Sequence, residues 1–280
     1  MTVISNGLAS SCDATILRNI GPLYLVALAS VVYKISMKFA LTESKRVEAT
    51  PGAVGFCPGC GAELVARCGS KKIWHWAHKG KRHCDDWWEP ETDWHRSWKS
   101  YFPTDWQEIC SRDKAGELHI ADVKVPKGLV VEVQHSAIKL EEARKRTLFH
   151  APMIWVVDAL RRKTDKTQFE KALGSEFRRR PEKRLLSRVS PYDVRLIEEW
   201  CDLQVIVAFD FGGEDVWLMS GRDWACGIGF WYKKEKLVEN IREGTDIPFI
   251  FFEQRNRRGK VIKRTHTIPN SLPKQDRRPL

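Results

Sequence analysis

The chain has 280 residues, a formal charge of +11 and 42% hydrophobic residues. That length and apolar content exclude a disordered chain and leave room for one large domain or two smaller ones with a sizeable core. The positive balance points to an anionic partner, of which nucleic acid is the commonest. Eight cysteines are present, but apart from one tight Cys/His group they are scattered. This fits a reduced, cytoplasmic setting with a metal site better than a secreted disulfide framework.

Residues 20–33, IGPLYLVALASVVY, form an apolar run too short for a comfortable transmembrane helix, with a weak basic flank for a leader. Stable membrane insertion is therefore not expected. Met37 begins MKFALTESKRVEA, a strand followed by a polar turn, so residues 1–36 are read as an accessory or misassigned extension.

Residues 37–86 are short strands punctuated by Gly and Pro. Cys57-Pro-Gly-Cys60-Gly has the form of a zinc knuckle, in which glycines let backbone N–H groups turn towards the thiolates. His75 and His78 repeat the two-residue spacing and complete a Cys₂His₂ set, while Cys84, a softer donor close by, competes with His75. Cys57, Cys60, His75, His78 and Cys84 are thus candidate ligands of a structural Zn²⁺. Such an ion would fold a small ribbon that core burial alone cannot hold.

Pro90 can open a helix through ETDWHRSWKSYF, with Pro103 as its stop. WQEIC, ELHIADV and GLVVEV read as three successive strands that pair antiparallel. Ser136 can cap a helix over AIKLEEARKRTLFH, and MIWVVDA is a continuous apolar run, the mark of a strand buried on both faces. Helix, three strands, helix, strand is an α/β or α+β order. Past residue 159 the chain becomes basic, then offers a helix in SPYDVRLIEEWCD, a strand in LQVIVAFDF and a basic tail. The resulting division is 37–86 for a zinc-ribbon-like domain, 87–172 for a core and 173–280 for a basic C-terminal α/β region.

Within HIADVKVPKGLVVEVQHS, Pro126-Lys127-Gly128 fits a three-residue hairpin loop, Pro presetting φ and Gly supplying the left-handed residue. With that loop, residues whose numbers total 254 face each other, so Asp122 stands opposite Glu132 with Cβ atoms roughly 5 Å apart. Two like charges so placed are destabilising unless a cation lies between them. Gln134 shares the Glu132 face by strand periodicity. An Asp and a Glu-x-Gln form an oxygen-rich site of the kind that Mg²⁺ or Mn²⁺ prefers. On the preceding helix, Glu91, His95 and Lys99 follow at i, i+4 and i+8 and share one face.

CPGCG, WHWAH, ETDWHRSWK, HIADV with VVEVQHS, and MIWVVD, in this order over about residues 37–158, resemble the competence protein CoiA-like family. The resemblance implies a restriction-endonuclease-like core of the PD-(D/E)xK type and metal-assisted hydrolysis of DNA phosphodiesters. Asp122 and Glu132 would then hold the metal. Gln134 stands where the wider superfamily usually has Lys, and CoiA-like proteins also have Gln there, which leaves a positive group to be found. Glu91 would complete the metal shell, and His95 would act as a base or contact phosphate. Lys99 and the Arg178-Arg179-Arg180 cluster are the candidate nucleic-acid contacts. No small-molecule cofactor is implied. Two other functions fit the same residues: a DNA-binding protein with a decayed nuclease site, and a membrane-associated DNA-uptake factor suggested by residues 20–33.

Overall fold

The computed structural model describes residues 36–80, 84–87, 89, 91–174, 186–203, 205–223, 226–252 and 263–267. Two units divide the chain, Met1–Tyr33 and Lys34–Leu280, and everything described belongs to the second. The apolar run 20–33, Pro90, Arg178, Arg179, Arg180 and the basic tail apart from 263–267 lie outside the described residues. Among the described residues no helix is long and apolar enough to cross a membrane.

Strands β1 (Phe39–Thr42), β2 (Lys45–Glu48), β3 (Val54–Phe56), β4 (Glu63–Arg67) and β5 (His75–His78) form an antiparallel sheet in the order β2-β1-β3-β4-β5. Its inner face buries Ala40, Leu64 and Trp76 against Met37, Ala49 and Cys57. Gly55 is required at the centre, since a Cβ there would lie 2.9 Å from that of Ala40.

Helix α1 (Asp93–Ser100) follows. It opens after Thr92 and not at Pro90: the Thr92 Oγ1 accepts the His95 N–H, and the His95 ring accepts the Thr92 N–H in return. This is a capping box with His in the place usually held by Glu or Gln. A 3₁₀ turn (Thr104–Trp106) leads through the antiparallel strands β6 (Gln107–Arg112), β7 (Leu118–Lys124) and β8 (Val130–Gln134).

Helix α2 (Leu140–His150) carries the chain to β9 (Met153–Asp158), which pairs parallel with β8. Ser136 does not cap α2, which begins after Lys139 with no side-chain cap. Its N–H donates to Glu89 Oε2 instead, so the turn after β8 belongs to the site described below. Then come α3 (Lys163–Leu173), β10 (Ser187–Val189), α4 (Arg195–Trp200), β11 (Ile206–Asp210), β12 (Asp215–Asp223), β13 (Cys226–Lys233), α5 (Lys234–Glu243) and the hairpin β14 (Pro248–Phe252) with β15 (Lys263–Thr267).

The second sheet has eight strands in the order β10-β13-β12-β11-β9-β8-β7-β6. Only the β8–β9 and β9–β11 neighbours run parallel. Four of its strands come from beyond residue 172, so the change in composition there falls inside one sheet. Ile154, Val156 and Val157 on β9 are 0% exposed. Burying each such side chain stabilises the fold by about 1.5–3 kcal/mol, which is why this strand reads as an unbroken apolar run. One core lies on each face: Trp155, Trp200 and Trp217 mark the first, and Trp98, Val131 and Phe230 the second. Trp98 and Trp94 both donate to Asp210 at the end of β11, at 2.7 and 3.2 Å, and this pins α1 to the sheet.

Candidate functional site

The CxxC knuckle turns as its glycines suggest. The Cys57 N–H donates to Ala62 O at 2.8 Å, the Gly61 N–H to Cys57 O at 2.9 Å, and Gly61 takes φ +70°. Donor atoms of Cys57, Cys60, His78 and Cys84 gather within 4.8 Å of one another. Cys57 and Cys84 sulfurs are 3.7 Å apart, and Cys60 Sγ lies 3.3 Å from His78 Nε2. Hydrogen bonding to Cys84 holds the Cys57 thiol down to about 3, and the same contact raises that of Cys84.

Three thiols and one imidazole at this separation suit a closed tetrahedral site, so the cluster could hold a metal such as zinc. His75 is not part of it: its Nδ1 is 2.8 Å from Ile73 O. The reason is strand geometry. His75 and His78 are an odd number of residues apart on β5, so they point to opposite faces of the sheet. Of the two competing donors, Cys84 is the one brought to the cluster.

The β7–β8 hairpin has the expected register, with Val123 opposite Val131 and Lys124 opposite Val130. Gly128 closes the loop at φ +96°. The backbone ladder stops one pair short of the acids. Beyond it the Val133 N–H donates to Asp122 Oδ2 at 2.9 Å, and the Asp122 N–H to Glu132 Oε1 at 3.3 Å. Carboxylates thus replace the next ladder bonds, the strands part, and both acids are left at the opening.

That opening is a cavity of about 80 Å³ whose lining includes Asp85, Glu89, Glu91, Glu108, Asp122 and Glu132, together with His95, Lys99 and Arg146. Carboxylates outnumber the cationic groups, a burial that is costly unless protons or a further cation neutralise it. Burial, reinforced by the Asp122 charge, pushes Glu132 well above the usual carboxylate range. Burial also raises Asp122, against the pull of Lys99 and His95.

Lys99 is 3% exposed, with its Nζ 2.5 Å from Glu91, 2.9 Å from Glu108 and 4.0 Å from Asp122. Burial lowers its proton affinity, but Glu108, Glu91 and Asp122 outweigh this and raise it. This ammonium, the candidate nucleic-acid contact, lines the cavity among three acids. Glu91 sits in the same group. Burial raises its carboxyl, yet Lys99 and Arg96 prevail and leave it lowered.

His95 is 3% exposed. Its Nε2 donates to Glu89, and its Nδ1 faces the Thr92 N and Oγ1 at 3.4 and 3.0 Å. Burial disfavours its charge, but Glu89 outweighs burial and raises it. With Nε2 on Glu89 and Nδ1 facing Thr92, His95 ties the start of α1 to Glu89 in the lining of the cavity. Gln134 is likewise turned to structure: its Nε2 donates to Glu89 Oε2 at 2.9 Å and Ser136 O at 3.1 Å.

Glu89 is the residue missed by the sequence reading. Besides His95 and Gln134, it accepts the N–H groups of His135 at 3.1 Å and Ser136 at 2.9 Å. Burial opposes its charge, yet these donors hold it down to about 2. It lies next to Pro90 and outside any regular element, so no periodicity marked it. Glu108, Arg146 and His150 were missed too. Glu108 sits in β6 at φ +47°, a costly conformation for a side-chain-bearing strand residue, and accepts from the Lys38 and Phe39 N–H groups as well as Lys99. Arg146 Nη1 and His150 Nε2 lie 4.0 and 3.7 Å from the Glu132 carboxylate.

The two centres are joined by residues 84–89. Cys84 belongs to the metal cluster, while Asp85, Trp87 and Glu89 line the cavity. Asp85 accepts from His119 Nδ1 and the Ile120 N–H, both at 2.8 Å, and the Trp87 ring stacks on His119.

Residues 51–86 match the family model for competence protein CoiA, N-terminal domain. No curated protein and no solved structure matches the chain. The matched stretch runs from the turn before β3 to just past Cys84 and contains every donor of the cluster. The ribbon that gathers Cys57, Cys60, His78 and Cys84 is thus similar to the CoiA N-terminal domain over residues 51–86.

Proposed function

We propose that this protein is a divalent-metal-dependent nuclease that hydrolyses DNA phosphodiester bonds. The observation that carries the reading is the parting of β7 and β8 at Asp122 and Glu132, which opens a buried cavity with more carboxylates than cations. The order α1, β6, β7, β8, α2, β9 supports a restriction-endonuclease-like core. The CoiA-type domain supports a competence-related role, and the charge of +11 supports a polyanionic partner.

Asp122 and Glu132 are the residues that would hold Mg²⁺ or Mn²⁺, hard cations that prefer oxygen donors. When bound, such an ion supplies charge for the phosphate oxygens and makes water more acidic. The remaining chemistry belongs to the chain. Burial, which raises Glu132, favours its protonated form as long as no cation balances its charge. Lys99, fixed by Glu91 and Glu108, sets a permanent positive charge beside Asp122. That charge answers the absence of lysine at Gln134. Preorganised charge of this kind stabilises a transition state because it need not reorient during reaction. Gln134 and His95 are positioning residues that lock Glu89, and Glu89 in turn fixes the backbone after β8.

A binding protein without catalysis is the second reading, favoured by the number of carboxylates around Lys99, which leave its charge already compensated. One experiment separates them. Purified protein is incubated with matched single-stranded, duplex and branched DNA in Mg²⁺, Mn²⁺ or EDTA, beside an Asp122→Ala, Glu132→Ala double variant. Cleavage that needs metal and vanishes in the variant, at unchanged zinc content, is the expected result. Tight DNA binding with no cleavage in any metal would select the binding protein.

A further inference from the structure

His135 follows the last residue of β8, and Asp158 ends β9, the parallel neighbour in which Val157 stands opposite Gln134. His135 Nδ1 lies 2.7 Å from Asp158 Oδ2, and the other Asp158 oxygen accepts the Leu160 N–H at 2.8 Å. A carboxylate only accepts, so the carboxylate side of the ring carries an N–H and the Nε2 side is left for exchange. Among the described residues nothing bonds to Nε2. The His135 side chain is 37% exposed while that of Asp158 is 9% exposed, so the dyad has a buried orienting acid and an open imidazole.

The dyad stands beside the acidic cavity. The His135 N–H donates to Glu89 Oε1 at 3.1 Å, and its ring centroid is 6.1 Å from that of His95. Glu89 and His95 both line the cavity. Trp94 flanks the ring at 6.2 Å. The titratable groups facing it are Asp158 from β9, His95 from α1 and Glu89 from the segment before α1. Of the two imidazoles here, His95 has both nitrogens engaged, whereas His135 keeps one free.

We propose that His135, oriented by Asp158, is the general acid that protonates the leaving oxygen when a phosphodiester is cut; this rests on the nuclease reading above. A water oxygen forms the new bond to phosphorus and gives up a proton to a carboxylate of the cavity or to solvent. The phosphorus–oxygen ester bond breaks with its electron pair going to the leaving oxygen, which takes the Nε2 proton of the doubly protonated ring. His135 is left neutral, with its Nδ1–H still on Asp158, and solvent at its exposed edge restores the lost proton.

The test compares oligonucleotides with ordinary scissile linkages to ones carrying sulfur at the 3′- or 5′-bridging position, since a thiolate leaves without protonation. His135→Ala and His135→Asn are measured beside the unmodified chain, with melting temperatures recorded for each. General acid catalysis is worth about 10²–10⁴-fold. A loss of that order on ordinary DNA, largely absent on one bridging-sulfur substrate, is the expected result, and Asp158→Asn should show a smaller loss of the same pattern. Equal losses on both substrates, in the His135→Asn variant with an unchanged melting temperature, overturn the assignment and leave His135 a structural tie. If the unmodified chain cuts neither substrate, the nuclease reading itself falls and takes this step with it.

Discussion

Lys99 Nζ lies 4.0 Å from Asp122 Oδ1 while Glu91 and Glu108 hold it on its other sides. The ammonium thereby bridges the end of α1, the kinked strand β6 and the acid of β7. Replacing it by an apolar residue of similar length leaves buried Glu108 without its ammonium and Glu91 with Arg96 alone. Lys99→Met should therefore cost about 3–5 kcal/mol, read by urea unfolding. Lys99→Met combined with Glu108→Gln should regain part of that loss, because one uncompensated charge is gone. An unchanged midpoint in the single variant would show that the ammonium is not compensating these acids.

Glu132 predicts a pH effect of definite sign. Its carboxyl is raised in the folded chain, so the folded state holds a proton that the unfolded state has released once pH passes the ordinary carboxylate range. Stability then falls as pH rises from that range towards the folded value. Glu132→Gln removes this loss. Without divalent metal, the variant should melt higher than the unmodified chain at neutral pH, by about 2–4 °C for each kcal/mol recovered. The gap should close below pH 4. Melting curves of both chains in EDTA across this range check it, and a gap of opposite sign would refute it.

Glu89 behaves in the opposite sense. Its carboxyl is held down from 4.5 to about 2, a stabilisation of roughly 3 kcal/mol. This is present above the unfolded value and is lost as pH falls towards 2. The raised His95 is the other half of the same pair, so its contribution is not added; it is lost as pH rises through the folded imidazole value. Glu89→Gln should cost about 3 kcal/mol at pH 6, and the two chains should converge as pH approaches 2. Denaturant unfolding at four or five pH values measures the convergence.

Zinc removal should reach the acidic cavity, because residues 84–89 link the two. Metal analysis of single variants should find about one zinc per chain in His75→Ala and a marked loss in Cys84→Ala and His78→Ala. Chelation should then raise amide exchange at residues 84–89 and 135–136, while β9 and β11 stay protected in the core. Unchanged exchange at residue 135 after zinc loss would show that the strap holds without its metal anchor.

Local chemistry made a good part of this molecule legible. The Pro126-Lys127-Gly128 loop sets the hairpin register through two adjoining turn residues, and β8 and β7 obey it up to Val131 and Val123. The unbroken apolar run of β9 announced a strand covered on both faces. Cys57 and Cys60 were recognisable because their knuckle is closed within six residues. Each of these signals spans a few residues, the range over which turn geometry and side-chain periodicity act.

Tertiary structure decided the rest. Cys84, and not His75, reaches the cluster because the strand turns His75 to the far face and folds a later segment back. Glu89 gains its role from donors 6 to 47 residues away in the chain. Lys99, spaced like a surface-facing member of a helix stripe, is enclosed because Glu108 arrives from a kink in β6 opposite Asp122. The sequence alone marked β7, β8, β9 and the stretches that become α1 and α2, where the hairpin turns and which acids share it. The burial and charge balance of those acids depend on contacts between distant segments, whose energies no local pattern encodes.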